Sequence, residues 1–252
     1  MEKNAVIEEL HKDYYARIEG PIGGDERFRW IADTFFKDIS GKKVLDVGCG
    51  EGTLLELVRR KGNDVAGVDI SHSGVAKTKT KGVICFLSDI SNERLPFHDD
   101  EFDMAVCLET IEHVENPLRC IQEIKRVLKD GGTLVISIPN PKILHPYCYP
   151  GLFQLRHFKE FLHVNDFEIR RVVGWGQAIM LNRLMRFLRG RGGAYEVIYD
   201  TLYFLSRKRN LVLRKKKITP LSWSFCVNFE CINHKGKQGI LERIAIETTP
   251  TQ

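Results

Sequence analysis

Three acids stand where β-rich runs give out: Asp46 in Val44-Leu45-Asp46-Val47, Asp69 in Val68-Asp69-Ile70-Ser71, and Asp89 in Ser88-Asp89-Ile90. The first leads into a glycine turn, Gly48-Cys49-Gly50-Glu51-Gly52-Thr53. Such a turn lets backbone approach a ligand closely, because no Cβ stands in the way. The dinucleotide pattern G-x-G-x-x-G would place its last glycine at position 53, which here is Thr. Asp46 would repel a pyrophosphate, yet it attracts an ammonium or sulfonium group. An acid roughly twenty residues beyond the turn, here Asp69, is the usual acceptor for both ribose hydroxyls. Asp89 is placed to accept from an adenine amino group, with Ile90 as an apolar ring contact. Each acid read alone also suits a helix cap.

A second group is Glu109-Thr110-Ile111-Glu112-His113. On a helical turn Glu109, Glu112 and His113 stand at i, i+3 and i+4 and share one face. Two carboxylates and an imidazole so arranged can hold a divalent cation such as magnesium, which would fix and acidify a hydroxyl. The same residues can serve as acid, base or substrate contacts, with Glu112 and His113 the catalytic candidates. They can also simply pack and start a helix. His145, in Leu144-His145-Pro146-Tyr147, either reaches the same mouth or is a loop histidine.

These residues need a sheet whose strand ends converge. Apolar runs predict strands at Lys43–Val47, Asp64–Ile70, Val83–Ser88, Phe102–Leu108 and Thr133–Ile138. Helical patterns at Thr53–Lys61 and Pro117–Leu128 alternate with them, the second stopped by Asp130-Gly131-Gly132. That alternation predicts α/β architecture: a doubly wound, mostly parallel, seven-stranded sheet. Gln154–Val164 reads as a helix, and Phe167–Val173 and Ser224–Ile232 as the last two strands, the final one antiparallel. Residues 1–40 read as an N-terminal helical cap, with Arg27–Ile39 turning Phe28, Ile31, Phe35 and Phe36 inward. Residues 41–252 form the main domain, interrupted before its last strand by a basic helical insertion at about 177–222.

From Val44 to Asn140 the chain resembles the class I S-adenosylmethionine-dependent methyltransferases. The resemblance rests on VLDVGCGEG, the acid of GVDIS, the SDI step, LPFHDDEFDMAVCLETIEHVENP and LKDGGTLVISIPN. It implies the Rossmann-like methyltransferase fold and S-adenosyl-L-methionine as methyl donor. Asp46, Gly48 and Gly50 would then lie under the methionine part, Asp69 at the ribose with Ile70 beside the adenine, Asp89 and Ile90 at the adenine, and Leu108 in the wall after the fourth strand. The E-x-x-E-H arrangement resembles that of ubiquinone-pathway O-methyltransferases and of small-RNA 2′-O-methyltransferases, which add a further histidine. The expected reaction is methyl transfer to an oxygen of a small-molecule, quinone-like, or lipid- or glycan-intermediate acceptor. RNA 2′-O-methylation is the alternative, although no fourth ligand and no recognised RNA-binding module are visible. Thr53, Asp46 and Asp89 argue against a nicotinamide-dependent oxidoreductase, and an inactive cofactor-binding regulatory protein is also compatible with the residues.

The 43% hydrophobic and 28% charged composition is that of a soluble globular chain. No secretory signal and no apolar run long enough to span a bilayer are visible. Seven cysteines without a C-x-x-C pair read as core residues of a reducing compartment, and the expected location is cytoplasmic. The net charge of +5 is uneven: residues 182–219 carry eleven Arg and Lys against Glu196 and Asp200. Within it Leu181, Leu184, Met185 and Leu188 form one stripe opposite Arg183, Arg186 and Arg189, and Arg214-Lys215-Lys216-Lys217 follows. Such an insertion suits an anionic membrane's inner face or a lipid-linked substrate. It also suits RNA phosphates, or a solvated lid.

Overall fold

A computed structural model describes residues 24–140, 151–175 and 226–235. Seven strands hydrogen-bond in the order β3-β2-β1-β4-β5-β7-β6. They are β1 Lys43–Val47, β2 Asp64–Asp69, β3 Ile84–Leu87, β4 Phe102–Leu108, β5 Leu128–Pro139, β6 Phe167–Trp175 and β7 Cys226–Asn233. The helices are α1 Gly24–Phe35, α2 Thr53–Arg59, α3 His72–Thr80, α4 Pro117–Val127 and α5 Leu155–Val164. The chain divides into two compact units, one holding residues up to 107 together with 118–132, the other holding 108–117 and everything from 133 onward.

In the first unit, β1, β2, β3 and β4 run parallel, with Lys43 opposite Asp64, Ala66 opposite Ile84, and Val44 opposite Met104. Parallel strands are covered on both faces, which is why Val44, Leu45, Val65, Val68, Ala105 and Val106 form near-continuous apolar runs and are all buried. The chain winds outward from β1 in both directions, so β1 and β4 flank the topological switch point where such sheets bind ligands. Arg126 of α4 staples the loop before β4. It donates to the Leu95 and Phe97 carbonyls at 3.0 and 2.9 Å, to Asp99 at 2.7 Å and to Glu123 at 2.8 Å. Glu123 in turn accepts from the Leu95 N–H at 2.8 Å.

In the second unit β7 is antiparallel to both neighbours, pairing Thr133 with Ile232 and Phe167 with Asn233. The expected antiparallel last strand is therefore present, and β6 carries a bulge between Ile169 and Arg171. Phe158 of α5 packs on Phe229 of β7 with ring centroids 5.3 Å apart.

One helix was not anticipated and two local expectations change. The helix α3 lacked a strong apolar period because Val75 is its one large buried apolar residue; its start is set by Ser71, whose hydroxyl accepts from the Gly74 N–H at 3.2 Å. Asp130-Gly131-Gly132 does not stop a helix: α4 ends at Val127 and these residues already belong to β5. On α1, Arg27 rather than Phe28 is the more deeply buried, with 2% exposure. The N-terminal cap before residue 24, the insertion at 177–222 and His145 lie outside the described residues.

Candidate functional site: the glycine loop and the turn after β4

The glycine loop is a left-handed turn that only glycine enters easily: Gly48, Gly50 and Gly52 have φ of 78°, 53° and 71°. Gly48 and Cys49 donate to the Val68 carbonyl at 2.8 and 3.1 Å, fixing the loop to the end of β2. From the other side α3 supports it, since Thr78 donates to the Gly50 carbonyl at 2.9 Å. A Cβ on Gly74 would sit 2.9 Å from that same oxygen, so α3 needs glycine there for its close approach.

Asp69 closes the loop. One carboxylate oxygen accepts from the Gly50 N–H at 2.7 Å and the other from the Ser71 N–H at 2.8 Å. These bonds orient the carboxylate at the end of β2. Asp46, at 4% exposure, is buried nearby. Burial first, and the charge of Asp69 second, push its carboxyl up to about 7. Two acids of one sign at adjacent strand ends make a place that a cationic ligand relieves and a pyrophosphate aggravates.

Asp89 caps its own turn: its oxygens accept from the Ser91 N–H and the Asn92 amide, each at 2.9 Å. Of the two apolar residues expected beside an adenine, Ile70 offers surface at 43% exposure, whereas Ile90 is packed inside at 7%.

Leu108, half-buried, ends β4 and begins the 108–117 segment of the second unit. Glu109 follows with φ of 50°, left-handed backbone on a residue that is not glycine. Its N–H donates to the Ser137 hydroxyl at 3.1 Å, and that hydroxyl donates back to the Glu109 carboxylate at 2.8 Å. Ser137 is wholly buried in β5. Glu112 is also wholly buried, with the His113 ring nitrogen 3.8 Å from its carboxylate. The shared face expected of Glu109, Glu112 and His113 does not form. The helical turn is a 3-10 turn that begins only at Ile111, and Glu109 precedes it in a different conformation. Among the described residues no three His, Cys, Asp or Glu side chains group to hold a metal ion. This donor set does not fit a resident magnesium ion, and we assign it none. Ser137 and Thr78 were not anticipated; the signal for Ser137 was a lone hydroxyl in the apolar run Leu134-Val135-Ile136-Ser137-Ile138.

This strand order defines a Rossmann-like sheet with an antiparallel last strand. Residues 45–136 match the methyltransferase domain family. A ubiquinone biosynthesis O-methyltransferase of Paraburkholderia phymatum is 35% identical over 122 residues, covering 46% of this chain. A second, from Pseudomonas aeruginosa, is 34% identical over 119 residues and 45% of the chain. The matches span 52% and 50% of those relatives, so the chain covers about half their length. Among solved structures, an S-adenosylmethionine-dependent methyltransferase from Mesorhizobium loti superposes with a TM-score of 0.53 at 15% identity, covering 77% of this chain and 92% of that one. The cyclase SpnF does so with a TM-score of 0.54 at 21% identity, covering 84% and 82%. Residues 45–136 thus carry the sequence motifs of the methyltransferase domain family on a Rossmann-like strand order.

Proposed function

We propose that the protein transfers the methyl group of S-adenosylmethionine to an oxygen of a small-molecule acceptor. The observation that carries this reading is the pair of acids at the glycine loop: Asp69 held by Gly50 and Ser71 at the end of β2, and Asp46 buried beside it. A fold shared with a cyclase does not by itself choose the reaction. A site whose acids would accept a ribose and favour positive charge narrows the ligand.

The donor, when bound, supplies an electrophilic methyl on a sulfonium. The chain's own residues then have few tasks, because in-line displacement needs mainly proximity and alignment. Asp69 would accept the ribose hydroxyls, Asp46 would balance the ligand's charge, and Ile70 would cover one face of the adenine. Asp89, whose oxygens accept from Ser91 and Asn92, would accept from the adenine amino group. A hydroxyl acceptor must lose its proton as its oxygen bonds to carbon and the carbon–sulfur bond breaks. Glu109, held by Ser137, is the carboxylate we assign to take that proton, with His113 beside Glu112 as the second candidate.

The relatives' names support a quinone-like acceptor. The sequence of the basic insertion supports a lipid-linked one, and contact with an anionic membrane from the cytoplasmic side. Among the described residues no helix is long and apolar enough to cross a membrane. Incubation with isotopically labelled donor and separate phenol, lipid-extract and RNA pools, read by mass spectrometry, tests the proposal. Label in the phenol or lipid pool is expected. Label only in RNA would replace the acceptor, and tight donor binding with no label anywhere would remove the catalytic reading.

A further inference from the structure

Cys49 sits inside the glycine loop and Cys85 on β3, and their sulfurs are 3.5 Å apart. Neither position looks redox-active in the sequence, where 36 residues separate them. The fold joins them through a third residue, Gly67. It pairs with Cys85 across β2 and β3, and a Cβ placed on it would lie 2.7 Å from the Cys49 sulfur. The missing side chain at Gly67 is therefore what lets Cys49 lie across β2 toward β3. Both thiols are buried, at 8% and 2% exposure, which leaves only small reagents able to reach them.

We propose that Cys49 and Cys85 are a site of reversible oxidation, in which a peroxide converts the pair to a disulfide and displaces the glycine loop from Asp69. The ligand consequence rests on the nucleoside-site reading above; the cross-link itself does not. A disulfide bond is about 2.05 Å long, so the sulfurs must close by roughly 1.5 Å from their present contact. Cys85 is paired within the ladder to β2, whereas Cys49 lies in a turn held by its N–H bond to the Val68 carbonyl, so the turn takes up the closure. Cys49 is followed directly by Gly50, whose N–H orients Asp69 at 2.7 Å. A pull on Cys49 toward β3 acts on that bond.

The step balances. The Cys85 sulfur, as thiolate, attacks one peroxide oxygen; the oxygen–oxygen bond breaks, the sulfur becomes a sulfenic acid, and the departing hydroxide leaves as water after taking a proton. Cys49 then attacks the sulfenic sulfur, the disulfide forms, and the hydroxyl leaves as a second water. Two thiols are oxidised and one peroxide is reduced. Cys85 is the attacking sulfur because the thiol contact with Cys49 and the charge of Lys79 favour its thiolate. At Cys49 the contact with Cys85 itself, and then burial and the charge of Asp46, hold the thiol protonated.

The full chain, reduced and then treated with hydrogen peroxide, should yield one cross-linked tryptic species joining Val44–Arg59 to Gly82–Arg94, each of which contains a single cysteine. A thiol reductant should reverse it. Affinity for S-adenosylmethionine should fall roughly tenfold on oxidation, the equivalent of one lost hydrogen bond to a charged group, and return on reduction. Cys85→Ala and Cys85→Ser should keep the reduced affinity and lose the response. Should the reduced protein not bind this ligand at all, the functional reading fails. The inference then stands or falls on the cross-link and on faster amide exchange at Gly50 after oxidation. Absence of the cross-linked species, or an equal loss of affinity in Cys85→Ala, overturns it.

Discussion

Asp46 should make binding of the methyl donor depend on pH near neutrality. In the ligand-free protein its carboxyl is raised from 3.8 to about 7, because burial and Asp69 both disfavour its charge. A raised acid is bound to its proton more tightly when folded than when unfolded. Its contribution to stability is therefore present at low pH and is lost as pH rises from about 4 to about 7. Across that window a shift from 3.8 to about 7 amounts to roughly 4 kcal/mol, at 1.36 kcal/mol per unit. A cationic ligand reverses the preference by favouring the carboxylate. If only the ionised form binds it, the dissociation constant should rise about tenfold for each pH unit below 7 and level off above it. Calorimetric titration between about pH 5.5 and 8.5, with the sulfonium donor and with its neutral-sulfur product, separates charge from shape. The donor should show the slope, the product a shallower one, and Asp46→Asn should flatten both. An affinity for the donor constant over that range, in a protein that stays folded, would refute the electrostatic role given to Asp46.

Asp69→Ala should weaken donor binding by about 1.5–3 kcal/mol, since two charge-assisted hydrogen bonds to ribose are lost; calorimetry on folded mutant and parent decides it. Arg126→Met should lower unfolding stability by roughly 2–4 kcal/mol, because the carbonyls of Leu95 and Phe97 and the Glu123 carboxylate lose a shared donor; denaturant unfolding measures it. Excess chelator should leave turnover intact, because Glu109, Glu112 and His113 do not converge; loss of activity restored by magnesium would show that they do so in the working enzyme. Ser137→Ala should lower kcat about tenfold while leaving the donor's dissociation constant unchanged, as expected of one positioning hydrogen bond.

The sheet was legible because parallel strands leave a blunt signature: β1 and β4 fall where the apolar runs predict, at Lys43–Val47 and Phe102–Leu108. The acid at the end of β2 was equally legible, since strand, glycine turn and helix fix its distance along the chain. What the sequence did not display is contact made through small residues. Gly74 and Thr78 support the glycine loop from a helix with almost no apolar period, and Gly67 lets two distant cysteines touch. The turn after β4 misled for a different reason. Spacing at i, i+3 and i+4 implies a common face only if the backbone is α-helical throughout, and Glu109 is left-handed.

That left-handed Glu109 gives the turn its meaning. A residue with a Cβ in this conformation costs about 1–2 kcal/mol, and it persists only where surrounding bonds hold it. Here the Ser137 hydroxyl bonds both to the backbone N–H and to the carboxylate of the same residue, so one buried group fixes main chain and side chain together. Glycine at 109 would remove the strain, and also the carboxylate. A glutamate kept in a glycine's conformation just after β4 suits the proposed role of proton acceptor. A metal ligand would instead need its partners to turn toward it, and Glu112 is buried against His113. The same left-handed backbone that breaks the expected metal cluster supports the proposed acid–base role of Glu109 ahead of that of His113.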